Sequence, residues 1–215
     1  MYKLASQTPL YYGKPKQFSM LTDTIAAATF DPLAKGPRVT LSGGNLVATH
    51  SSSTSDDTTY SQLNRSSTLG GKFYIEMTIT TYAGGGNDIG VGIDSVNTAT
   101  STYFYSASTG YAYYGVNGQK WNNNAGAAYG NSYTTGDVIG IAIDMDNRYI
   151  YFSKNGTWQN SGDPTSGATG TGKAYTFTAG TYYIAVNTAG ASVVTANFGA
   201  SAFSYSIPSG YIGTW

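Results

Sequence analysis

The feature that most constrains this chain is a two-residue alternation of apolar and polar side chains. In residues 72–80 one face would carry Phe73, Ile75, Met77 and Ile79, and the other would carry Lys72, Tyr74, Glu76 and Thr78. Because successive strand residues point to opposite faces, this period predicts a β-strand with one buried and one polar face. No segment sustains a helical period over three turns, so the sequence predicts an all-β protein.

Short apolar runs separated by Gly, Asn and Ser continue the pattern. Residues 39–41 and 46–49 flank Ser-Gly-Gly-Asn, which predicts a hairpin. Further strands are expected at residues 89–93, 138–144 and 149–152, with a last pair at 182–186 and 192–198. The glycines in residues 89–93 indicate a bulge or a close approach of neighbouring backbone. Strands of this length and spacing predict a sandwich or a barrel.

Composition excludes several classes of function. The chain has no cysteine, a single histidine, and 11 basic against 11 acidic residues. Disulfide scaffolds, thiol nucleophiles and Cys-type zinc sites are therefore excluded, and no cofactor is expected. The absence of a basic block argues against nucleic acid as a partner. The longest apolar run, residues 138–143, is too short to span a membrane. The N-terminus lacks the apolar core of a signal peptide, so the protein is expected to be made in a cytoplasm.

Residues 1–27 differ from the rest, since they carry two prolines, three lysines and no sustained period. They are expected to form an extended N-terminal arm, with the sandwich domain at residues 28–215. The arm is either a disordered leader or a segment that attaches to a partner. Its candidate attachment residues are Leu10, Tyr11, Tyr12 and Phe18. Residues 157–181 form a second unusual stretch, because loops of that length are commonly functional or disordered.

Several blocks of residues, in the same order, resemble the SPRY domain family. They are Gly-Lys-Phe-Tyr-Ile-Glu at 71–76, Ile-Gly-Val-Gly-Ile at 89–93, Tyr-Tyr-Gly at 113–115, Gly-Asp-Val-Ile-Gly-Ile-Ala-Ile-Asp at 136–144, Tyr-Phe-Ser-Lys-Asn-Gly at 151–156, Asn-Phe-Gly at 197–199 and Pro-Ser-Gly-Tyr at 208–211. The resemblance implies a two-sheet, antiparallel, concanavalin A-like and jelly-roll-like β-sandwich.

The Gly-, Thr- and Ala-rich loops and the closing motifs are most similar to SPRY modules in virion proteins of tailed bacteriophages. Two departures from the family pattern stand out. The 157–181 loop is longer than usual, and the chain has no room for RING, B-box or SOCS-box domains. The scaffold role of eukaryotic SPRY proteins in ubiquitin ligases is therefore not implied.

Residues 103–133 combine many aromatic side chains with Asn and Gln. Tyr and Trp bury large areas while keeping a polar tip, which suits a binding surface for sugars or a polar protein. The alternative is that about half of these aromatics belong to the core. SPRY domains bind partners through loops at one edge of the sandwich, and this segment supplies several such loops. The candidate ligand-binding residues are Tyr105, Tyr111, Trp121, Asn122, Asn123 and Trp158, with Tyr105, Tyr111, Trp121 and Trp158 expected to be exposed.

Candidate chemistry elsewhere is sparse. Asp144 and Asp146 are a weak candidate for a calcium site, but hairpin turn chemistry explains them better, so no metal is expected. Glu76 is expected to pair across strands with a Lys or Arg. No nucleophile elbow, phosphate loop or metal-ligand histidine spacing occurs, which predicts a protein that is not an enzyme.

The leading hypothesis is a phage virion protein, present in multiple copies or as a homo-oligomer. Its arm would contact other virion proteins of a capsid or tail fibre, while the sandwich binds a host surface glycan or protein. One alternative is a capsid decoration or cement protein without a host ligand. A weaker alternative is a bacterial module that binds or cleaves polysaccharide.

Overall fold

Two antiparallel β-sheets face each other in the computed structural model, which describes residues 27–51, 53–84 and 89–215. In chain order the strands are β1 (Phe30–Lys35), β2 (Val39–Ser42), β3 (Val47–His50), β4 (Asp57–Ser66), β5 (Lys72–Thr81), β6 (Gly90–Asp94), β7 (Gly110–Tyr114), β8 (Lys120–Asn122), β9 (Ala125–Ala127), β10 (Val138–Asp144), β11 (Tyr149–Lys154), β12 (Thr157–Trp158), β13 (Tyr175–Thr176), β14 (Thr181–Thr188) and β15 (Val193–Asn197). The predicted all-β sandwich is confirmed.

The first sheet has the order β1-β4-β14-β6-β7-β8-β9, and the second has the order β12-β11-β10-β5-β15-β3-β2, with β13 also on β11. The predicted hairpin at residues 39–49 is formed by β2 and β3. The last two strands do not pair with each other. β14 lies between β4 and β6 in the first sheet, and β15 lies between β5 and β3 in the second.

The core lies between the sheets and is built from the alternation that the sequence shows. Phe73, Ile75, Met77 and Ile79 are all buried on the inner face of β5. Val91 and Ile93 of β6 face them from the first sheet. Strand β10 lies at the centre of the second sheet, where Ile141 is opposite Ile75 on one side and Phe152 on the other.

The outer face of β5 is covered, contrary to its predicted polar exposure. Tyr74 and Glu76 are only 1% and 2% exposed. Residues 203–211 lie over this face, and the ring of Phe203 is 5.1 Å from that of Tyr74. An added layer of aromatic side chains therefore makes both faces of the strand internal.

The expectation that Glu76 pairs with a Lys or Arg is wrong. Its carboxylate accepts hydrogen bonds from the Tyr74 hydroxyl at 3.0 Å and from the backbone N–H groups of Ser204 and Tyr205 at 2.8 and 2.9 Å. Hydrogen-bond donors thus replace a cation as the partners of this buried carboxylate. Glu76 fixes the covering segment onto the second sheet.

The long 157–181 stretch has structure of its own. It contains β12, β13 and two single-turn 3₁₀ helices at Gln159–Ser161 and Gly167–Thr169. The hydroxyl of Tyr211 donates to the Pro164 carbonyl at 3.1 Å, which ties the loop to the second sheet. A third single-turn helix, Phe104–Ser106, lies on the first sheet. Within the described residues, no helix approaches the length and apolarity that a membrane crossing needs.

Both ends of the sandwich meet at one place. The backbone N–H of Ala28 donates to the carbonyl of Trp215 at 3.0 Å. The Trp215 side chain is fully buried, and its indole N–H is within 3.1 Å of Ser61 Oγ and 3.0 Å of the Leu63 carbonyl. The predicted attachment residues Leu10, Tyr11, Tyr12 and Phe18 lie outside the described residues, so their role stays a prediction.

Asp137 joins the turn before β10 to the β11 hairpin. Its carboxylate accepts from the Thr134 N–H at 2.8 Å and the Asn155 amide at 2.7 Å, and it pairs with Lys154 at 3.0 Å. Burial by itself would raise the pKa of Asp137, but these hydrogen bonds and the Lys154 ammonium together hold the pKa below its ordinary value. The folded state therefore favours the ionised carboxylate.

We expect Asp137→Asn to lower the free energy of unfolding by about 2 kcal/mol at pH 7, because charge-assisted hydrogen bonds are lost. A lowered pKa in the folded state stabilises the protein above the unfolded pKa of about 3.9, and this contribution disappears as the pH falls through the folded value. Urea unfolding of both proteins between pH 7 and pH 2 measures the difference. A difference that persists undiminished at pH 2 would contradict this account.

Candidate functional site

A cleft lined by aromatic rings lies on the outer face of the first sheet. Strand alternation in β7 directs Tyr111 and Tyr113 into the core and leaves Tyr114 outside with Ala112. Trp121 of β8 pairs directly with Ala112, so its side chain is on the same outer face. The segment with the Phe104–Ser106 turn folds over this face and brings tyrosines against Trp121.

The rings meet at angles that leave an open notch. Tyr103 and Tyr105 stack with centroids 4.9 Å apart. Trp121 is tilted by 54° from Tyr114 at 5.6 Å and by 59° from Tyr105 at 6.1 Å. With Asn124 at the side, these four rings enclose about 130 Å³. We call this site, made of Tyr103, Tyr105, Tyr114, Trp121 and Asn124, the aromatic cleft.

The polar atoms around the aromatic cleft are few and uncharged. The indole Nε1 of Trp121 is buried and has no hydrogen-bond partner among the described residues. The hydroxyl of Tyr103 donates to Asn124 Oδ1 at 2.9 Å, so that acceptor is already used. No charged side chain of the described part of the chain lines the cleft. The aromatic cleft therefore has the chemistry of a site for a neutral ligand group that packs against aromatic rings.

A glycine fixes the floor of the cleft beneath Trp121. A Cβ atom on Gly126 of β9 would come within 2.6 Å of Trp121 Cε2 and 2.9 Å of its Cζ2. The glycine therefore lets the indole approach the backbone of the edge strand more closely than a residue with a side chain would. The ring is therefore held from below by β9 and from the side by Tyr105 and Tyr114.

Residues 72–201 match the family model described as the SPRY domain. This chain belongs to the SPRY family. The predicted resemblance is thereby confirmed at the level of the domain, and SPRY domains typically mediate protein–protein interaction. The SPRY domain of human HERC1 is similar in structure, with a TM-score of 0.61 at 19% identity, and the alignment covers 80% of this chain and 99% of that one.

Two curated proteins match part of the SPRY domain. The chain is 36% identical over 101 residues to the E3 ubiquitin-protein ligase RKP of Arabidopsis thaliana, covering 47% of this chain and 7% of that protein. It is 32% identical over 85 residues to the dual specificity protein kinase splA of Dictyostelium discoideum, covering 40% of this chain and 3% of that protein. The chain thus spans less than a tenth of either relative.

Two of the predicted contact residues are not exposed. Tyr105 is 2% exposed and forms the buried wall of the aromatic cleft. Tyr111 is 5% exposed and packs in the SPRY core against Phe177 and Tyr182. The expectation of exposure is wrong for both, because Tyr105 packs against Tyr114 and Trp121 on the first sheet and strand alternation turns Tyr111 inward.

The remaining predicted residues are divided between two places. Trp121 is half-buried in the aromatic cleft, and Asn123 is exposed beside it with a left-handed φ of 52°. The side-chain amide of Asn122 donates to the backbone carbonyls of Ser108 at 3.0 Å and Gly110 at 2.7 Å, so this residue connects β8 to the start of β7. Trp158 is half-buried on the second sheet and does not line the cleft. The structure therefore brings Tyr105 and Trp121 together in the cleft and leaves Tyr111, Asn122, Asn123 and Trp158 outside its lining.

Three residues of the cleft were missing from the predicted set, namely Tyr103, Tyr114 and Asn124. Tyr114 could have been found from alternation, since it must face away from Tyr111 and Tyr113 if those two are core. Tyr103 and Asn124 have no such signal. Their contact depends on how the segment before β7 folds back over β8.

A second depression adjoins Trp158 on the outer face of the second sheet. It has a volume of about 350 Å³ and is lined by Tyr74, Ser153, Gly156, Trp158, Tyr205, Ser206, Ile207 and Pro208. The Tyr74 hydroxyl in this depression already donates to Glu76, and burial raises its pKa far above the ordinary value. This depression provides a matched control surface for tests of the aromatic cleft.

Asp94 is a buried carboxylate at the end of β6 in the first sheet. Asp94 accepts from the Tyr60 hydroxyl at 3.1 Å and from the Val96 N–H at 3.1 Å. Burial raises the pKa of Asp94, and these hydrogen bonds oppose part of that rise. The same burial, together with the Asp94 charge, raises the pKa of Tyr60. Asp94 is thus a structural anchor beneath the cleft wall.

The two aspartates considered for calcium have separate structural partners. Asp144 accepts from the backbone and side-chain N–H groups of Asn147, both at 2.9 Å, and pairs with Lys72 at 2.9 Å. Asp146 accepts from the Gly71 N–H at 2.8 Å. No group of three potential acidic, His or Cys ligands occurs in the described parts of the chain. Asp144 ties the end of β10 to the turn that follows it, as expected, whereas Asp146 bonds to Gly71 outside its own hairpin.

Proposed function

We propose that this SPRY-domain protein is a non-enzymatic binding protein whose ligand enters the aromatic cleft. The observation that carries the proposal is a neutral wall of four aromatic rings around an open depression on the outer face of the first sheet. Large, rigid aromatic side chains around a small depression are typical of residues that dominate binding energy. The glutamate and aspartates described above are all engaged in structural bonds, which supports binding rather than catalysis as the role.

We further propose that the protein is a component of a tailed-phage virion, made in the host cytoplasm. Residues 1–27 would attach it to a capsid or tail, and the SPRY domain would face outward to a host surface ligand. The low charge and the phage-like loop composition support this placement. Multiple copies on one particle would convert weak single contacts into strong attachment through avidity.

Cell staining tests the binding role. The full chain, labelled and clustered on beads, is expected to stain selected bacterial strains, and Tyr103→Ala is expected to reduce staining at least about tenfold because a hot-spot ring is removed. Tyr205→Ala, in the depression of the second sheet, is the matched control and should stain like the parent. Equal staining by the parent and Tyr103→Ala would contradict a ligand at the cleft.

Co-sedimentation of the protein with virions tests whether residues 1–27 attach it to the particle. In purified virions, we expect the full chain to co-sediment and a Tyr11→Ala/Phe18→Ala double variant to be found mostly in the unbound fraction, since apolar contacts to the particle are lost. Co-sedimentation that the double variant retains would contradict attachment through the arm. Co-sedimentation with no staining of any strain would favour the capsid decoration alternative.

A further inference from the structure

We propose that a second site, a polar groove beside Trp158, binds a neutral saccharide chain. The groove lies between residues 128–131, which follow β9 of the first sheet, and residues 157–161, which form β12 of the second sheet and the turn after it. Its volume of about 500 Å³ exceeds that of the aromatic cleft. We call this site the polar groove. The inference goes beyond the proposed function, because the aromatic cleft shares no lining residue with the polar groove.

The first argument is that a buried side chain fixes both walls of the polar groove. Gln159 is 5% exposed and forms part of the groove floor. Its side-chain carbonyl accepts from the backbone N–H of Asn131 at 2.9 Å, and its side-chain amide donates to the carbonyl of Thr157 at 2.8 Å. A Cβ atom on Gly130 would come within 2.6 Å of Gln159 Oε1, so the wall packs closely on this side chain. Because the two walls are tied together before a ligand arrives, binding requires little ordering of loops.

The second argument is hydrogen-bond chemistry. The backbone N–H and carbonyl of Asn131 bond to Gln159 and Tyr113, which leaves its side-chain amide exposed and without a partner among the described residues. The Asn160 amide and the Ser161 hydroxyl are likewise exposed and make no hydrogen bond within the described structure. Amides and hydroxyls each offer both donors and acceptors. A matching ligand must therefore donate and accept at closely spaced positions, as the hydroxyl groups of a saccharide do.

The third argument is charge, together with a single aromatic ring. No charged side chain of the described part of the chain lines the polar groove, so neither an acidic nor a basic ligand finds a counter-charge there. The half-buried ring of Trp158 forms one side and packs edge-on against Tyr74, with centroids 6.3 Å apart. An indole beside free amides and a hydroxyl suits a sugar ring, which has apolar C–H faces and a hydroxyl edge. Apolar grooves and charged clusters are among the recurring sites for peptides, and the polar groove is neither.

The test is a titration of the ¹⁵N-labelled full chain with neutral hexasaccharides of glucose, mannose and galactose, and with oligogalacturonate as an acidic probe. The chain has 3 tryptophans, so three indole N–H signals are expected, each assigned by single replacement. We expect a neutral hexasaccharide to move the Trp158 indole signal and the side-chain amide signals of Asn131 and Asn160. The Trp121 signal, which reports on the aromatic cleft, should stay in place.

Three variants test the contacts of the polar groove. Asn131→Ala removes an exposed amide and keeps the backbone bonds of that residue, and should weaken saccharide binding roughly fivefold. Trp158→Leu removes the ring and should weaken binding roughly tenfold. Thr134→Ala changes an exposed residue that does not line the groove, and as the matched control should bind like the parent. Asn131→Ala decides the test if Trp158→Leu fails to fold, which circular dichroism shows.

Several outcomes would overturn the inference. A Trp158 signal that no neutral hexasaccharide moves at millimolar concentration would do so, as would tighter binding of oligogalacturonate or unchanged binding by Asn131→Ala. A Trp121 signal that moves in place of the Trp158 signal would assign the saccharide to the aromatic cleft. None of these results removes the proposed function, which fails if Tyr103→Ala stains cells like the parent.

Discussion

Replacing Gly92 by alanine is expected to prevent stable folding of the sandwich, with a loss of at least about 3 kcal/mol. Gly92 lies in β6, where a Cβ atom would overlap the backbone carbonyl oxygen of Tyr111 in the neighbouring strand β7. Backbone cannot move aside as a flexible side chain can, so the β6–β7 pairing would have to separate. Loss of cooperative thermal unfolding, measured by circular dichroism, is the expected result.

Gly180→Ala is the control for this experiment. A Cβ atom at Gly180 would be 3.6 Å from the Tyr182 ring, which is an ordinary contact distance, and Gly180 is not in the left-handed region. We expect a change within about 0.5 kcal/mol for this variant. Native-like melting of Gly92→Ala would show that β6 and β7 are not packed as described.

Replacing Trp215 by alanine is expected to lower the free energy of unfolding by about 3–5 kcal/mol. The ring is fully buried, meets Phe73 edge-on at 5.6 Å, and donates to Ser61 and the Leu63 carbonyl. Its removal leaves a cavity between the sheets and breaks both indole hydrogen bonds, although Ser61 Oγ still accepts from the Ile184 N–H and donates to the Leu63 carbonyl. Urea unfolding followed by tyrosine fluorescence or circular dichroism measures the loss.

Two further variants separate packing from hydrogen bonding at this site. Trp215→Phe keeps much of the ring but not the N–H, and should cost about 1–2 kcal/mol. Ile212→Ala changes a neighbour that is 53% exposed and should cost less than about 0.5 kcal/mol. A Trp215→Ala protein as stable as Ile212→Ala would contradict the role of this ring in closing the core.

The strands could be predicted because their signals are local. The alternation in residues 72–80 identified the inner face of β5, and the glycines of residues 89–93 indicated the close approach that Gly92 makes to Tyr111. These features depend on the residues of one or two neighbouring strands. They predicted an all-β sandwich or barrel, and the resemblance to the SPRY family selected the two-sheet sandwich.

The outer layers could not be predicted because their contacts are distant in the chain. Glu76 bonds to a backbone group 128 positions away, so no local pattern shows that its face is covered. The aromatic cleft was only half predicted for a related reason. In Tyr111-Ala-Tyr-Tyr114 aromatic residues occur on both faces of the strand, and the period alone does not say which face is the core.

The hydrogen bond between Ala28 and Trp215 holds the two flanks of the sandwich side by side, so the strands between them leave from and return to one place. A unit of this kind can be inserted into a surface turn of a host protein without stretching that protein apart. It can also be circularly permuted by linking the two ends with a short connector. The same geometry suits a module recurring within much longer chains, such as the two relatives of which this chain matches 3% and 7%.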